Sequence, residues 1–232
     1  MSILVTLPTY NEAGNILPLI DDLLALRPDI SVVVIDDDSP DGTWRLVREK
    51  VATTDRVFLI HRTEERGRGS AGVAGFKFAV QKKADLVVEM DADYSHHPRF
   101  LPELINAAQN ADVVIGSRLV KDGGEIGRSL VRTWITHLAN FYIRIVLGIK
   151  IRDCTSGYRV FRRKVLEEID LDTLESNGPA IVQEVLIRCK RKGFKMVEVP
   201  IIFEERRRGT STFNTRIMLA GLWAVLKFRF NK

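Results

Sequence analysis

The sequence predicts an α/β fold, with a mostly parallel sheet flanked by helices and forming a single domain. Five short apolar runs are separated by segments with helical periodicity, and this alternation is typical of parallel strands joined by helices. The runs are Ile3–Leu7, Ser31–Ile35, Val57–Ile60, Leu86–Val88 and Asp112–Ile115. The chain has 232 residues, which is enough for one sizeable core.

The composition favours a soluble protein with an anionic partner. Hydrophobic residues make up 45% of the chain and charged residues 28%, as in ordinary globular proteins. The net charge of +5 suits nucleic acid, a nucleotide sugar or an acidic membrane surface, without choosing among them. The two cysteines lie far apart and Met1–Val5 runs directly into the first strand, so we expect reduced thiols, no targeting segment and a cytoplasmic setting. No apolar stretch reaches the roughly 17 residues that span a bilayer.

The first predicted strand ends in a polar loop, Pro8–Glu12. A helix is predicted over Ala13–Leu26, because its leucines and isoleucines recur on one face. Pro28 is expected to end that helix region.

The second predicted strand ends in the acidic segment Asp36–Thr43. It contains four carboxylates within six residues. Acidic side chains at such strand ends bind ribose hydroxyls in other nucleotide-binding sheets. The alternative is a turn at Asp41-Gly42, with Thr43 capping a helix over Trp44–Lys50. We expect both, with the earliest aspartates facing a ligand and the later ones serving the turn.

A glycine-rich segment, Arg66–Gly72, follows the third predicted strand and leads into a helix over Val73–Lys82. Glycines before a helix allow phosphate to approach the backbone closely, and Arg66 and Arg68 add positive charge. The alternative is a simple turn without a ligand.

The fourth predicted strand ends in Asp91-Ala92-Asp93. Two carboxylates this close repel each other unless a cation lies between them, and their hard oxygen atoms suit Mg²⁺ or Mn²⁺. Mg²⁺ is usually held by one or two carboxylates together with substrate phosphates. The alternative is that Asp93 or Ser95 only caps the following helix, predicted over Arg99–Ala108.

A long helix is predicted over Arg128–Leu147, with two contrasting faces. One face is apolar and consists of Val131, Trp134, Ile135, Leu138, Phe141, Tyr142 and Ile145. The other is polar and mostly basic and consists of Arg128, Arg132, Thr136, Asn140 and Arg144. The basic face is either solvated or attracts an anionic group or a lipid surface.

The remaining segments are predicted as a polar turn running into a strand, two helices, a strand, a basic loop and a final helix. They are Arg152–Phe161, Lys164–Ile169, Ala180–Lys192, Lys195–Val199, Phe203–Thr212 and Asn214–Lys232. The basic loop is either merely exposed or folds over an anionic ligand. The final helix either lies at a membrane interface or packs on the sheet.

Six ordered segments together resemble a known family. They are Pro8–Glu12, Asp36–Thr43, Met90–Pro98, Gly116–Arg118, Asp153–Arg159 and Glu198–Ile201. In this order they resemble the dolichyl-phosphate mannosyltransferases, which are inverting glycosyltransferases of family two with the GT-A fold. The resemblance extends from about Ile3 to Ser211.

The resemblance implies that mannose moves from GDP-mannose to dolichyl or polyprenyl phosphate, with a nucleotide-binding half at about 1–118 and an acceptor half at about 119–232. It implies a peripheral protein on the cytoplasmic face of a membrane, without nucleic acid, and leaves open a separate membrane-anchoring subunit. Base and ribose would contact Pro8, Tyr10, Glu12, Asp37 and Asp38. The diphosphate and a Mg²⁺ or Mn²⁺ ion would be held by Asp91, Ala92 and Asp93, with Ser95 beside the metal. Catalysis would depend on Asp91 and Asp93 and on Arg118, Arg132 and Arg206, which would receive the acceptor phosphate or the leaving diphosphate, Arg206 also contacting the donor.

The expected acceptor chemistry needs no general base, because a phosphate monoester is already anionic near pH 7. Asp153 is a candidate base, sugar contact or structural support, and we favour the last two. Two alternatives remain: the same fold with another donor, such as UDP-glucose, or with another acceptor; or a non-catalytic nucleotide- or RNA-binding module. The second leaves the acidic strand ends unexplained.

Overall fold

The fold is built around a seven-stranded sheet, with a separate two-stranded sheet beside it. The computed structural model describes residues 1–205 and 215–230. The strands are β1 (Ile3–Thr9), β2 (Ile30–Asp36), β3 (Val57–His61), β4 (Leu86–Glu89), β5 (Val113–Ser117), β6 (Gly124–Ile126), β7 (Arg159–Arg162), β8 (Met196–Pro200) and β9 (Ile202–Glu204). The order in the main sheet is β3-β2-β1-β4-β7-β5-β8, and β6 pairs with β9.

The predicted mostly parallel sheet is confirmed, with one antiparallel strand inside it. Strands β1 to β4 pair in parallel, as do β5 and β8, whereas β7 runs antiparallel between β4 and β5. Arg159 at the start of β7 is opposite both Glu89 and Ile115. The start of β7 therefore lies at the edge at which the parallel strands end, and the turn before β7 reaches that edge as well.

Eight α-helices cover the sheet in the described residues. They are α1 (Ile16–Leu26), α2 (Thr43–Val51), α3 (Arg68–Gln81), α4 (Leu101–Ala107), α5 (Leu130–Leu147), α6 (Arg163–Glu168), α7 (Ile181–Arg191) and α8 (Thr215–Phe230). The largest difference from the predicted bounds is in α3, which begins five residues before Val73. The glycines of this segment indicated a loop, but Gly69, Ala71 and Gly72 are buried inside the helix, where small residues allow close packing.

The sheet carries one apolar core on each face. Helices α1, α2 and α4 contribute to the first core, represented by Leu19, Val47 and Leu104. Helices α3, α5, α6 and α7 contribute to the second, with Phe76 and Phe161 packed edge to face at 5.4 Å. The helices on both faces leave the carboxyl-terminal strand edge as the place where polar side chains collect.

Helix α5 presents its polar side to the protein and its apolar side outward. Thr136 and Asn140 are buried, whereas Trp134 is 75% exposed and Leu138 is 69% exposed. Of the two predicted alternatives for the polar face, solvation is therefore wrong at Thr136 and Asn140. Asn140 is held by the polar turn, since its Oδ1 accepts a hydrogen bond from the Cys154 amide and its Nδ2 donates to Thr155 Oγ1. Thr136 Oγ1 accepts a hydrogen bond from Arg128.

Among the described residues, we find no helix that is both long and apolar enough to cross a membrane.

Candidate active site

The acidic segment after β2 divides its carboxylates between structural and exposed positions. Asp36 is fully buried and accepts hydrogen bonds from Thr9 Oγ1 and from the hydroxyl of Ser39. Asp41 accepts from the amide and hydroxyl of Thr43, which is the first residue of α2. Burial opposes the charged form of Asp41, but these hydrogen bonds prevail and lower its pKa. The predicted cap by Thr43 is wrong, since Gly42 takes the N-cap position without a side-chain hydrogen bond. The expectation that the earliest aspartates face a ligand is thus wrong for Asp36, which shapes the turn instead.

Asp37 fastens the glycine-rich segment to the end of β2. Its carboxylate lies 2.6 Å from Arg62 Nη2, and it accepts a hydrogen bond from the Gly67 amide at 2.8 Å. The side chains of Asp37 and Arg62 are each only 9% exposed. A contact of Asp37 with ribose remains a prediction, because the structure shows its carboxylate bound to the chain itself.

An open cleft of about 300 Å³ lies beside Asp38 and Tyr10. It is lined by Tyr10, Asp38, Ser39, Pro40, Gly42, Trp44, Arg45 and Arg66. The guanidinium of Arg66 lies 5.9 Å from the centre of the Tyr10 ring, and Asp38 bonds His61 Nε2 at 2.9 Å. An aromatic ring, a half-exposed carboxylate and two arginines can hold a base and ribose together.

Sequence reasoning missed Trp44 and Arg45 as residues of this cleft, because their segment reads only as a helix. Pro8 and Glu12 were predicted to contact the nucleotide, but they are not among the residues that line the cleft. Pro8 belongs to β1, and Glu12 accepts a hydrogen bond from Asn15 Nδ2. Their ligand contacts stay predictions.

The acidic pair lies directly after β4, where Arg68 binds two carboxylates. Arg68 donates to Glu89 Oε1 at 2.8 Å and to Asp91 Oδ1 at 3.2 Å. Burial opposes the charged form of Arg68, but the charges of Glu89 and Asp91 prevail and raise its pKa. The guanidinium thus compensates part of the negative charge at the end of β4, where Glu89 is buried and Asp91 is 39% exposed.

Asp93 is oriented by its neighbour in the loop. Ser95 donates to Asp93 Oδ1 through its hydroxyl at 2.6 Å and through its amide at 3.0 Å. Ala92, which separates the two aspartates in the chain, is buried. Through these two hydrogen bonds Ser95 is a positioning residue for Asp93. Its predicted role as a metal ligand stays a prediction.

The donor atoms at this site fit a hard divalent cation that is shared with a ligand. Within residues 1–205 and 215–230, no group of three or more His, Cys, Asp and Glu side chains could hold a metal by itself. Asp91 and Asp93 would supply carboxylate oxygens, and diphosphate oxygens and water would complete the shell, as is usual for Mg²⁺. His96 Nδ1 accepts the Asp91 amide proton, and burial lowers the pKa of His96, so this ring supports the loop as a neutral imidazole.

The glycine-rich segment contacts the chain itself rather than leaving its backbone open. The Gly69 amide donates to the Asn177 carbonyl at 2.8 Å. A Cβ atom on Gly69 would lie 2.0 Å from the carbonyl oxygen of Ser176. Close packing against 176–177 therefore requires a glycine at this position. The expected contact of a phosphate with the backbone is wrong at Gly69, because the Gly69 amide is already bound.

Arg118 and Asp153 form a buried pair next to the acidic loop. Arg118 donates to Asp153 from Nε and from Nη2, each at 2.7 Å, and its Nη1 lies 3.3 Å from Glu125. Burial opposes ionisation of Asp153, but the charge and hydrogen bonds of Arg118 prevail and lower its pKa. A carboxylate bound in this way is a poor proton acceptor, so the structure favours the predicted support role and contradicts the base role.

The other predicted cationic residues are paired or lie outside the described residues. Arg132 donates to Glu205 on the loop after β9, and Arg128 pairs with Glu125. Arg206 lies outside the described residues. Burial opposes the charged form of Arg118, but nearby carboxylates prevail and raise its pKa. Asp153 and Glu125 have the larger effects, and Asp91 has a smaller one. Arg118 lies over the Phe203 ring, which also contacts the His96 ring of the acidic loop.

Gly157 is a site residue that sequence reasoning did not single out. A Cβ atom there would lie 3.3 Å from Arg68 Nη2, 3.4 Å from His96 Cε1 and 3.7 Å from Asp91 Oδ1. Its position before the antiparallel β7 brings it to the acidic pair. The only available signal was a glycine inside the polar turn after Asp153, which gives no indication of spatial neighbours.

An acidic pair at the carboxyl-terminal edge of a mostly parallel sheet is typical of proteins that bind nucleotide ligands. A model of glycosyl transferase family 2 matches residues 4–170, and the chain belongs to that family. An undecaprenyl-phosphate mannosyltransferase of Micrococcus luteus is 39% identical over 240 residues, covering 99% of each chain. A polyprenol monophosphomannose synthase of Mycolicibacterium smegmatis is 42% identical over 216 residues, covering 90% of this chain and 79% of the relative. These relatives confirm the resemblance found from the six segments.

Solved structures share the fold at low sequence identity. The glucosyl-3-phosphoglycerate synthase of Mycobacterium tuberculosis, in complex with Mn²⁺, UDP and glucosyl-3-phosphoglycerate, has a TM-score of 0.68 and 20% identity over 98% of this chain and 78% of that one. The mannosyltransferase PcManGT of Pyrobaculum calidifontis, in complex with GDP-Man and Mn²⁺, has a TM-score of 0.58 and 18% identity over 97% of this chain and 69% of that one. At these identities the likeness supports the GT-A fold.

Proposed function

We propose that this glycosyltransferase transfers mannose from GDP-mannose to a polyprenyl phosphate, with inversion at the sugar. An acceptor phosphate oxygen forms a bond to C1 of mannose while the bond from C1 to the GDP diphosphate breaks, and GDP leaves. Two relatives at 39% and 42% identity carry polyprenyl-phosphate mannosyltransferase names, and one structural neighbour holds GDP-Man. These comparisons support the choice of sugar, donor and acceptor class.

The observation that carries the proposal is the state of Asp153. Transfer to a sugar hydroxyl requires a general base, and Asp153 was the candidate for that role. Its carboxylate is fully buried and bound by both Arg118 and Thr155. An acceptor whose phosphate is already ionised near pH 7 needs no such base.

The donor would lie across the carboxyl-terminal edge of β1, β2 and β4. We assign base and ribose to the cleft of Tyr10 and Asp38, with Pro8, Glu12 and Asp37 as further predicted contacts. Asp91 and Asp93 would hold a Mg²⁺ or Mn²⁺ ion with the diphosphate, positioned by Ser95. The ion, when bound, supplies positive charge that stabilises the leaving diphosphate.

The acceptor phosphate would be received by arginines on the other side of the acidic pair. Arg118 is held in place by Asp153, so its position costs no reorganisation when a ligand binds. Arg132 and Arg206 would supply further positive charge, with Glu205 holding Arg132 until an anion competes for it. Two anions are thereby held in line for transfer.

The outward face of α5 supports contact with a membrane, where a polyprenyl acceptor resides. Six large apolar side chains of this helix are more than half exposed: Leu130, Val131, Trp134, Leu138, Phe141 and Ile145. Helix α8 adds Leu219 and Trp223, and it is joined to α5 by a hydrogen bond from Tyr142 to the Leu222 carbonyl. An apolar face of this extent marks an interaction surface. We propose that it lies in the cytoplasmic interface of a membrane, with or without an anchoring subunit.

A transfer assay tests the proposed reaction. The protein is incubated with Mn²⁺, polyprenyl phosphate and radiolabelled GDP-mannose or UDP-glucose, and label in the lipid fraction is counted. Label from GDP-mannose alone is the expected result. Label from UDP-glucose alone would overturn the donor assignment, and tight RNA binding without any transfer would favour the non-catalytic alternative.

A further inference from the structure

A second, basic cleft lies beside α5 and has no role in the proposed transfer. It has a volume of about 370 Å³ and is lined by Leu119, His137, Asn140, Phe141, Arg144 and Arg152. Two of these six side chains are arginines, a third is histidine, and none is acidic. The carboxylate of Glu198 accepts hydrogen bonds from the backbone amides of Arg152 and Asp153, and Glu198 is not part of the lining.

Arg144 is the residue that points to a ligand. Its Nε is buried and has no hydrogen-bond partner, and it is the one such buried side-chain nitrogen or oxygen in the part of the chain that the structure describes. By contrast, Arg118, Arg128 and Arg132 are each bound to a carboxylate. A buried guanidinium N–H without a partner is unfavourable. Because Arg144 also lines the cleft, a phosphate bound there would compensate the charge of its guanidinium.

The position of the cleft relates it to the outward apolar face of α5. Phe141 lines the cleft and is also 58% exposed on that face. Asn140 lines it from the inner side, where its Nδ2 binds the Thr155 hydroxyl that also accepts from Arg118. The cleft therefore lies next to the Arg118–Asp153 pair, and Asn140 and Thr155 link the two. The arginines of the cleft, Arg144 and Arg152, are not part of that pair.

We propose that this cleft binds the phosphate of an anionic membrane-lipid headgroup, separately from the acceptor phosphate. The proposal rests on the membrane contact assigned above to α5. Its chemistry fits the surroundings: guanidinium groups meet the phosphate, and Phe141 continues into the apolar face that contacts acyl chains. Bound headgroup would hold α5 at the membrane in a fixed orientation and keep the Arg118 side of the site near the lipid acceptor.

The test uses sedimentation of the whole chain with vesicles of phosphatidylcholine, with or without phosphatidylglycerol, in the absence of donor and acceptor. We compare Arg144→Gln and Arg152→Gln with Arg48→Gln, a matched loss of charge on α2. An arginine close to an anionic membrane is attracted to its surface, so each cleft variant should partition about fivefold less to phosphatidylglycerol vesicles. Arg48→Gln should bind as the unaltered protein does. Arg152 is exposed, so its variant tests the cleft without disturbing the core.

A second readout separates the headgroup from the acceptor. In detergent micelles, the KM for polyprenyl phosphate should be unchanged in Arg152→Gln, because the acceptor phosphate is assigned to other arginines. Unchanged vesicle binding in both cleft variants would overturn the proposal, and so would a raised KM with normal vesicle binding, which would assign the cleft to the acceptor. Vesicle binding needs no transferase activity, so failure of the transfer assay would leave this result independent.

Discussion

Arg118 binds Asp153 through three hydrogen bonds, two from the guanidinium at 2.7 Å and one from its own backbone amide at 3.0 Å. The contact joins the end of β5 to the polar turn before β7. It places a buried cation beside the acidic pair and removes the one carboxylate considered as a base. Both consequences can be tested through Asp153.

Replacing Asp153 by Asn should lower the free energy of unfolding by about 3–5 kcal/mol, because it leaves a buried guanidinium with one weaker partner. Urea unfolding at neutral pH measures the change. Asp172→Asn removes an exposed carboxylate of the same kind and should change stability by no more than about 0.5 kcal/mol. Equal effects of the two variants would show that the buried pair does not support the fold.

The same pair predicts a pH dependence of stability. The pKa of Asp153 is lowered in the folded protein, so its contribution is present above the pKa of an unfolded aspartate, about 3.9, and is lost as the pH falls towards the folded value. The stability difference between the unaltered protein and Asp153→Asn should be constant near neutral pH and should shrink below about pH 4. A difference that grows on acidification would contradict the assigned ionisation.

Gly69→Ala should destabilise the protein by about 2–3 kcal/mol, because the added methyl group overlaps the Ser176 carbonyl and must displace backbone. Gly178→Ala is the matched control, since nothing lies within 4 Å of its built Cβ. Thermal and urea unfolding compare the two. Near-equal stabilities would mean that 176–177 yields easily and that Gly69 is not required for packing.

Ser95→Ala should weaken Mn²⁺ activation by about 10–100-fold, because Asp93 loses the hydroxyl that orients it. The measurement is the Mn²⁺ concentration that gives half-maximal transfer. Ser2→Ala, at the opposite end of β1, should leave it unchanged. Asp93→Ala should abolish metal-dependent transfer with the fold intact by circular dichroism, and full activity of that variant would refute the metal assignment.

Trp134→Glu should reduce binding to phosphatidylcholine vesicles by about tenfold or more, because an exposed apolar side chain is replaced by a charge at the proposed membrane contact. Val51→Glu, on an exposed apolar residue of α2, is the control and should bind as before. Vesicle flotation measures both variants, and unfolding should be unaffected in either. Equal binding of the two variants would remove α5 from the membrane contact.

Local sequence patterns predicted the strands of the main sheet and the placement of the acidic pair. They did not predict β6, nor β9, whose Phe203 and Glu204 belong to the predicted basic loop, nor how β7 is inserted. The segment Arg152–Phe161 is predicted as a polar turn that runs into a strand. The direction of that strand depends on pairings with Val88 and Val114, which lie far away in the sequence. For this reason Gly157 could not be recognised as a neighbour of Asp91. The closeness of Gly157 to Asp91 becomes evident only when the order of the strands in the sheet is known.

The roles of neighbouring aspartates were likewise beyond the sequence. Asp36, Asp37 and Asp38 have the same side chain at the same strand end, but they bind Thr9, Arg62 and His61, respectively. The orientation of α5 could not be derived from its pattern either. An apolar helix face normally packs on the core, whereas here the polar turn at 153–155 binds Asn140 on the opposite face.

Whether the acidic pair holds the donor is tested most directly by a crystal structure of the chain with Mn²⁺ and GDP, in which the anomalous signal of manganese locates the ion. We expect a manganese peak contacted by carboxylate oxygens of Asp91 or Asp93 and by the GDP diphosphate, with the nucleoside in the cleft of Tyr10 and Asp38. A manganese ion and a diphosphate bound away from this acidic pair would contradict this expectation.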